Sequence, residues 1–594
     1  MSHARPILIA SLLAATGTLH AQEPAAKNLA ASLDPAVDAP LATDLPAGPA
    51  AAPAAPSQNV TVNLISRLVQ KGILSQAEAA EMIQQAEADA TAAARNAAAR
   101  ADIAALPPAP GPDDTRVTYI PEVVKNNMRD QIKQELMAAA REEKWSGKTT
   151  PDWTSKFRPF GDIRGRYEGT FFPAGNDNTG AFPNFNAINT GAPFDTAGNQ
   201  FSPQYNVDQD RERSRLRARF GTDIMLGDGF NGGIRLATGD SNSPTSPNQT
   251  LGGSGGNFSK YAIWLDRAFL GYDAGPGDGQ ELVLLMGRFD NPFFSTDIQW
   301  DDDLGFDGLA LRGKVKLNDK VSSFFTAGYF PVFNTDFNFA SNQPAKFAST
   351  DKWLTGAQVG IDWKITDDLT AKFGIAYYDF NNIQGKLSTP FIPLSASDAG
   401  DTDSTRPGFA QRGNTYMALR NIDNTTAAND FGNKDQFQYY GLASAFRNLT
   451  ITGKLESDLY DPVRVSLLGE LTKNLAFDPS GINRRAVNNG GAGAFQGGDT
   501  AWNLAFQVGK PALEAFGDWQ AGFGYRHVES DAVVDGFTDS DFGGGGTNVQ
   551  GFTLGGNMAV SPAVRLGLRW MSSNEIIGAP LSTDTLQFDI NAKF

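Results

Sequence analysis

Residues 211–226 read RERSRLRARFGTDIML. Arginine stands at 211, 213, 215, 217 and 219, and the positions between turn apolar at Leu216, Ala218 and Phe220, then Ile224 and Leu226. A period of two is the signature of a strand. One face of this strand is cationic and the other is apolar, so it asks for water on one side and a nonpolar medium on the other. Soluble sheets also alternate, but they bury the apolar face against a second layer. The rest of the chain decides between those two settings.

From Phe160 onward the period of two recurs. FGDIRGRYEG (160–169) sets Asp162, Arg164, Arg166 and Glu168 against Ile163 and Tyr167, and GLALRGKVKL (308–317) sets Arg312, Lys314 and Lys316 against Leu309, Leu311, Val315 and Leu317. AVRLGLRWM (563–571) repeats the pattern. No amphipathic helix after residue 158 offers a second layer. About 16 segments fit the roughly 9–11 residues of a membrane-spanning strand, beginning near 159, 213, 230, 261, 281, 308, 321, 354, 369, 449, 463, 500, 517, 548, 563 and 584. Residues 437–446 offer a further strand, which leaves about 14 to 18 with an even number favoured.

The connections alternate in length. Long ones span 171–210, 241–258, 290–307, 332–352, 381–448, 475–499, 529–547 and 573–582, and short ones span 227–229, 274–280, 318–320, 366–368, 460–462, 510–516 and 561–563. Long outer loops and tight periplasmic turns belong to an antiparallel up-and-down outer-membrane β-barrel. An all-β transmembrane barrel over 158–594 is therefore the expected fold. Leu216, Ala218, Phe220, Ile224 and Leu226 then meet lipid. An arginine on that face costs roughly 2–4 kcal/mol at mid-bilayer, so Arg213, Arg215, Arg217 and Arg219 are expected to line water. The last strand, TLQFDINAKF (585–594), ends on an aromatic, and Phe588, Ile590 and Phe594 resemble the C-terminal signal read by the barrel assembly machinery.

The first 157 residues read differently. Arg5, an apolar run from Ile7 to Ala15 and a small-residue exit at Ala21 make residues 1–21 a secretory signal peptide. An Ala/Pro-rich linker covers 22–58. A helical hairpin with coiled-coil-like character is expected over 59–105, with Ser75 and Glu78 as a capping box. A short periplasmic helix is expected over 116–146, striped by Ile120, Val124, Met128, Ile132 and Leu136. These helices are either a spacer or a segment that oligomerises or reaches the cell wall.

Composition removes several function classes. The net charge is −16, against the basic surface that nucleic-acid binding requires. Cysteine is absent, so thiol catalysis and Cys-ligated metal are excluded. Of three histidines, His3 and His20 leave with the signal peptide, and His527 lies near a strand end as an interfacial residue. GDGFNG (227–232) matches a dinucleotide fingerprint but leads into a strand, so it reads as a hairpin turn. No catalytic constellation, metal site or cofactor site emerges.

The polar faces of the strands carry the candidate chemistry. Arg213, Arg215, Arg217, Arg219, Asp162, Arg164 and Arg166 are candidates to line a pore and tune its ion selectivity. The third long connection, 291–308, carries Asp297, Asp301, Asp302, Asp303 and Asp307. Folded into the lumen, it would set carboxylates across from the arginine ladder as a constriction. A solvated loop and a surface calcium site are the competing readings.

Three further stretches carry a family resemblance: YIPEVVKNNMRDQIKQELMAAAREEKW (119–145) with PDW (151–153), GRFDNPF (287–293) with DIQWDDDLGFDGLAL (297–311), and GDWQAGFGYRHVESDAVVDGFTDSDFGGGGTNVQGF (517–552). In these the chain resembles the putative-porin family of Gram-negative outer membranes. The resemblance implies a signal peptide, a periplasmic helical segment and an outer-membrane diffusion channel. The expected function is a porin passing small hydrophilic solutes and ions, as a homotrimer set among outer-membrane lipid and lipopolysaccharide. Two alternatives stay open: a structural tether that reaches peptidoglycan through 59–144, and a substrate-selective anion channel.

Overall fold

The computed structural model describes residues 152–594, apart from 194–201, 241–242, 254, 276, 278–279, 337–344, 394, 396, 423–436 and 492–493. The signal peptide, the linker and the helices expected over 59–105 and 116–146 lie outside the described residues.

Sixteen antiparallel strands close into a barrel. They are β1 (Phe157–Phe171), β2 (Arg211–Gly227), β3 (Phe230–Ala237), β4 (Trp264–Asp273), β5 (Glu281–Asp290), β6 (Gly305–Lys316), β7 (Val321–Phe333) and β8 (Lys352–Lys364). The second half comprises β9 (Leu369–Asn381), β10 (Arg447–Tyr460), β11 (Val463–Asn474), β12 (Thr500–Gly509), β13 (Trp519–Val528), β14 (Val549–Ala559), β15 (Val564–Glu575) and β16 (Ser582–Lys593). Each strand pairs with the next, and β1 pairs with β16 from Asp162↔Lys593 to Phe171↔Asp584. Closure leaves no unpaired strand edge in lipid. The residues at 437–446 do not join the wall: Tyr440–Leu442 pairs instead with Tyr416–Ala418 inside a long loop.

Register fixes the faces. Leu216, Ala218, Phe220 and Ile224 oppose Gly165, Ile163, Gly161 and Phe157, so the apolar sets of β1 and β2 share the outward side. Leu284, Met286, Leu309, Leu311, Val359, Leu504, Phe523 and Leu568 continue that exposed apolar surface around the barrel. Near the long-loop end Tyr329 stacks on Trp353 at 4.6 Å, and Trp502 lies 5.6 Å from Tyr525 and 6.2 Å from His527. Trp363 and Trp519 are exposed near the short turns. Aromatic rings at both rims match the girdles of a membrane barrel. The 227–232 stretch is a hairpin turn, with Gly227, Asp228 and Gly229 all at positive φ (93°, 52° and 83°).

Four long loops send described residues inward. Residues 172–193, 291–304, 382–446 and 529–548 contribute Phe185, Phe293, Trp300, Tyr416, Leu442 and Val534 to one buried cluster. That cluster packs on Leu285, Phe289, Phe306, Phe330, Leu354, Tyr378 and Phe380, the inward faces of β5 to β9. Trp300 and Phe293 meet the Tyr378 ring edge-on at 5.2 and 5.0 Å. An apolar plug thus fills one side of the lumen. The polar path is pushed to the other side, against β1, β2 and β12 to β16.

Candidate pore constriction

The polar side of the lumen encloses a cavity of about 670 Å³. The wall supplies Arg164, Arg166, Arg217, Arg526, Arg569 and Asp589. Loop 291–304 supplies Asp297, Asp301, Asp302 and Asp303, and loop 529–548 supplies Asp539 and Asp541.

The first of these loops is fastened along its length. Asn291 Oδ1 accepts the Phe293 N–H at 3.0 Å, turning the chain off β5. Gln358 brackets the Phe294 backbone, accepting its N–H at 2.8 Å and donating to its carbonyl at 2.7 Å. The Thr296 N–H donates to Glu470 at 2.7 Å, and Asn503 donates to the Thr296 hydroxyl at 2.9 Å. Asp297 pairs with Arg526 at 2.7 Å. The Asp301 N–H donates to the Phe537 carbonyl at 2.8 Å. Asp303 lies 3.6 Å from Arg217 and 3.4 Å from Arg219. The loop therefore crosses the lumen from β13 to β2.

The arginine ladder is held by carboxylates on both sides. Asp162 pairs with Arg217 at 2.9 Å and with Arg219 at 2.7 Å. Glu168 pairs with Arg213, and with Arg215 at 3.2 Å. Arg166 is buried between Asp541 (2.8 Å) and Asp589 (2.7 Å). Arg164 lines the cavity and bonds Asn248 at 2.5 Å. Asp307 departs from the constriction expected of it. It lies in β6 with the parity of the outward Leu309 and Leu311, and it pairs with Arg288 at 2.8 Å on the outer wall. A one-residue change of register moves a strand residue to the opposite face, and the boundary at Gly305 assigns Asp307 to the strand. Among the described residues no acidic cluster is arranged to hold a metal ion, so the calcium reading gains nothing.

Loop 529–548 was not anticipated as part of the site. Its Asp539 joins Arg526 at 2.8 Å, and its Asp541 joins Arg166 and, at 2.5 Å, Arg569. The available signal was FGGGG at 542–546. Gly543 to Gly546 all have positive φ, and a Cβ on Gly546 would stand 1.8 Å from the Arg412 carbonyl oxygen. Only glycine lets this loop pass so close beneath loop 382–446.

Crowded acids titrate unusually here. Burial and the nearby Asp539 push the Asp301 carboxyl up to about 9. Asp302 faces the cavity but is enclosed by the barrel wall, and burial with Asp297 pushes it up to about 6. Burial also pulls Asp541 upward, but Arg569 and Arg166 outweigh it and hold that carboxyl well below its ordinary range. The result is a cavity lined by fixed charges of both signs. Preorganised charges in a confined, poorly hydrated space act strongly on a passing ion or dipole.

Solved structures that resemble the chain include three outer-membrane proteins. High-pH OprB of Pseudomonas putida shares 12% identity, covering 76% of this chain and 97% of its own, with a TM-score of 0.40. The outer-membrane channel DcaP of Acinetobacter baumannii shares 11%, covering 74% and 97%, at 0.34. An anion-selective porin from Comamonas acidovorans shares 12%, covering 74% and 99%, at 0.32. No curated protein matches the chain. The family model described as "Putative porin" matches residues 58–594, and the chain belongs to that family.

Proposed function

We propose that this protein is a bacterial outer-membrane porin, a passive diffusion channel for small hydrophilic solutes and ions. The observation that carries the reading is the charged cavity inside a closed barrel whose outward face is apolar. Solutes enter between the outer loops, cross the passage between the ladder and the Asp297–Asp303 loop, and leave at the short turns. No side chain needs to react. In this reading residues 1–21 are removed on export, the segment up to 157 lies in the periplasm, the last strand is presented to the barrel assembly machinery, and three copies associate among lipid and lipopolysaccharide.

Single-channel recording of refolded protein in planar bilayers, under a salt gradient, tests the proposal. Ohmic steps with a defined reversal potential are expected. Folded protein that gives no steps would overturn it.

A further inference from the structure

Most charges lining the cavity neutralise one another through the pairs above. Three do not: Asp301, whose carboxylate accepts only the Asp303 and Ser540 backbone N–H groups, and Arg164 and Asp302. Arg164 makes no ion pair among the described residues, and its buried Nε has no hydrogen-bond partner. Asp302 makes neither an ion pair nor a hydrogen bond there, and its side chain faces the same cavity. Both line the one cavity. Arg164 is the register partner of Arg217, and Arg217 contacts Asp303, the residue next to Asp302. One cation and one anion that make no ion pair among the described residues thus line the same cavity.

We infer that this passage selects zwitterions, with Arg164 receiving the carboxylate and Asp302 the ammonium of an amino acid or short peptide. The inference rests on the channel reading. A simple anion gains Arg164 but meets Asp302. A simple cation gains Asp302 but meets Arg164. A neutral polar solute gains neither. A zwitterion oriented along the field satisfies both charges, including the donor that lacks a partner in the protein.

The test is swelling of liposomes containing the whole protein in two isosmotic solutes. One is glycylglycine and the other is N-acetylglycinamide, which has a similar backbone without charged ends. At neutral pH glycylglycine is expected to enter roughly two- to fivefold faster, the range that two partly exposed charge pairs provide. Arg164→Gln and Asp302→Asn should each lower this ratio, and the double variant should bring it to one. The ratio is the readout, so a change in pore width alone does not imitate the effect. Equal entry of the two solutes into wild-type liposomes overturns the inference while leaving the channel intact. A ratio that survives in the double variant overturns the assignment to these two residues. Entry of neither solute overturns the channel reading, and the inference with it.

Discussion

Arg526 Nη2 donates to Asp297 Oδ2 across 2.7 Å, while Nη1 of the same guanidinium donates to Asp539 across 2.8 Å. One wall residue therefore ties two of the inserted loops, 291–304 and 529–548, to the barrel. Its side chain is only 13% exposed, so the charges are well removed from solvent. Arg526→Ala would leave two carboxylates facing each other. Breaking a buried pair by removing one partner costs about 3 kcal/mol or more. The expected result is a lower urea midpoint together with noisy, enlarged conductance steps. Arg526→Lys keeps the charge but not the fork, and should fall between. A wild-type trace from Arg526→Ala would show that the loops are held by their apolar contacts alone.

The arginines of the ladder differ in what they offer a passing ion. Arg213 shares Glu168 with Arg215, so its charge is already answered. Arg164 has no such partner. Arg164→Gln should therefore move the reversal potential toward cations by more than Arg213→Gln does. A double change of Arg215 and Arg217 to alanine should move it further still, because Glu168, Asp162 and Asp303 are then left with fewer counter-charges. Equal shifts from the two single variants would mean that the pairing does not govern selectivity.

Selectivity should also follow pH, in two steps. Asp302, raised by burial and Asp297 to about 6, ionises first, and Asp301, raised by burial and Asp539 to about 9, ionises second. The groups facing them include Asp303, Asp541 and Arg569. As pH rises from 5 to 10 the passage gains negative charge, and the reversal potential should move toward cations near 6 and again near 9. Asp302→Asn should remove the lower step and Asp301→Asn the upper one. Stability runs the other way. Both carboxyls hold their protons more tightly folded than unfolded, so that contribution is complete below about pH 4. It is lost as pH climbs through about 6 and then about 9. A flat reversal potential across this range would place both acids outside the ion path.

The wall of this barrel was legible because each strand writes its own environment. Lipid on one face and water on the other force a period of two, and the expected strand starts fall within three residues of those in the structure. The alternation put Arg217 on the lumen face, and Asp303, expected beside it only if the third long connection folds inward, lies 3.6 Å from it. What lay beyond it was the interior packing. Trp300, Tyr378 and Tyr416 belong to one buried cluster, yet they come from two loops and a strand. Arg526, Arg569, Asp539 and Asp541 escaped notice because each is an ordinary charge in its own stretch. They become a site only when loop 529–548 folds inward, and no local period encodes that. The glycine run at 543–546 was the one residue-level trace of the fold-back, since four successive positive φ angles mark a close crossing rather than a flexible link.

The seam of the barrel separates two roles for the last residue. Phe594 N–H donates to the Gly161 carbonyl at 3.0 Å and its carbonyl accepts the Gly161 N–H at 2.9 Å. Its ring covers Gly161 so closely that a Cβ there would stand 2.5 Å from Cζ. The residue is still 68% exposed, so its packing is worth only about 1 kcal/mol. Phe594→Ala keeps the backbone pair and should change the urea midpoint of the refolded barrel only slightly. If Phe594, with Phe588 and Ile590, is chiefly a signal for assembly, the same variant should sharply reduce the folded, heat-modifiable band in cells. Gly161→Ala gives the complementary readout, because it displaces the ring but leaves Phe594 in the sequence: normal assembly with a lowered midpoint is expected. Loss of assembly in Gly161→Ala alone would assign the residue to the seam rather than to recognition.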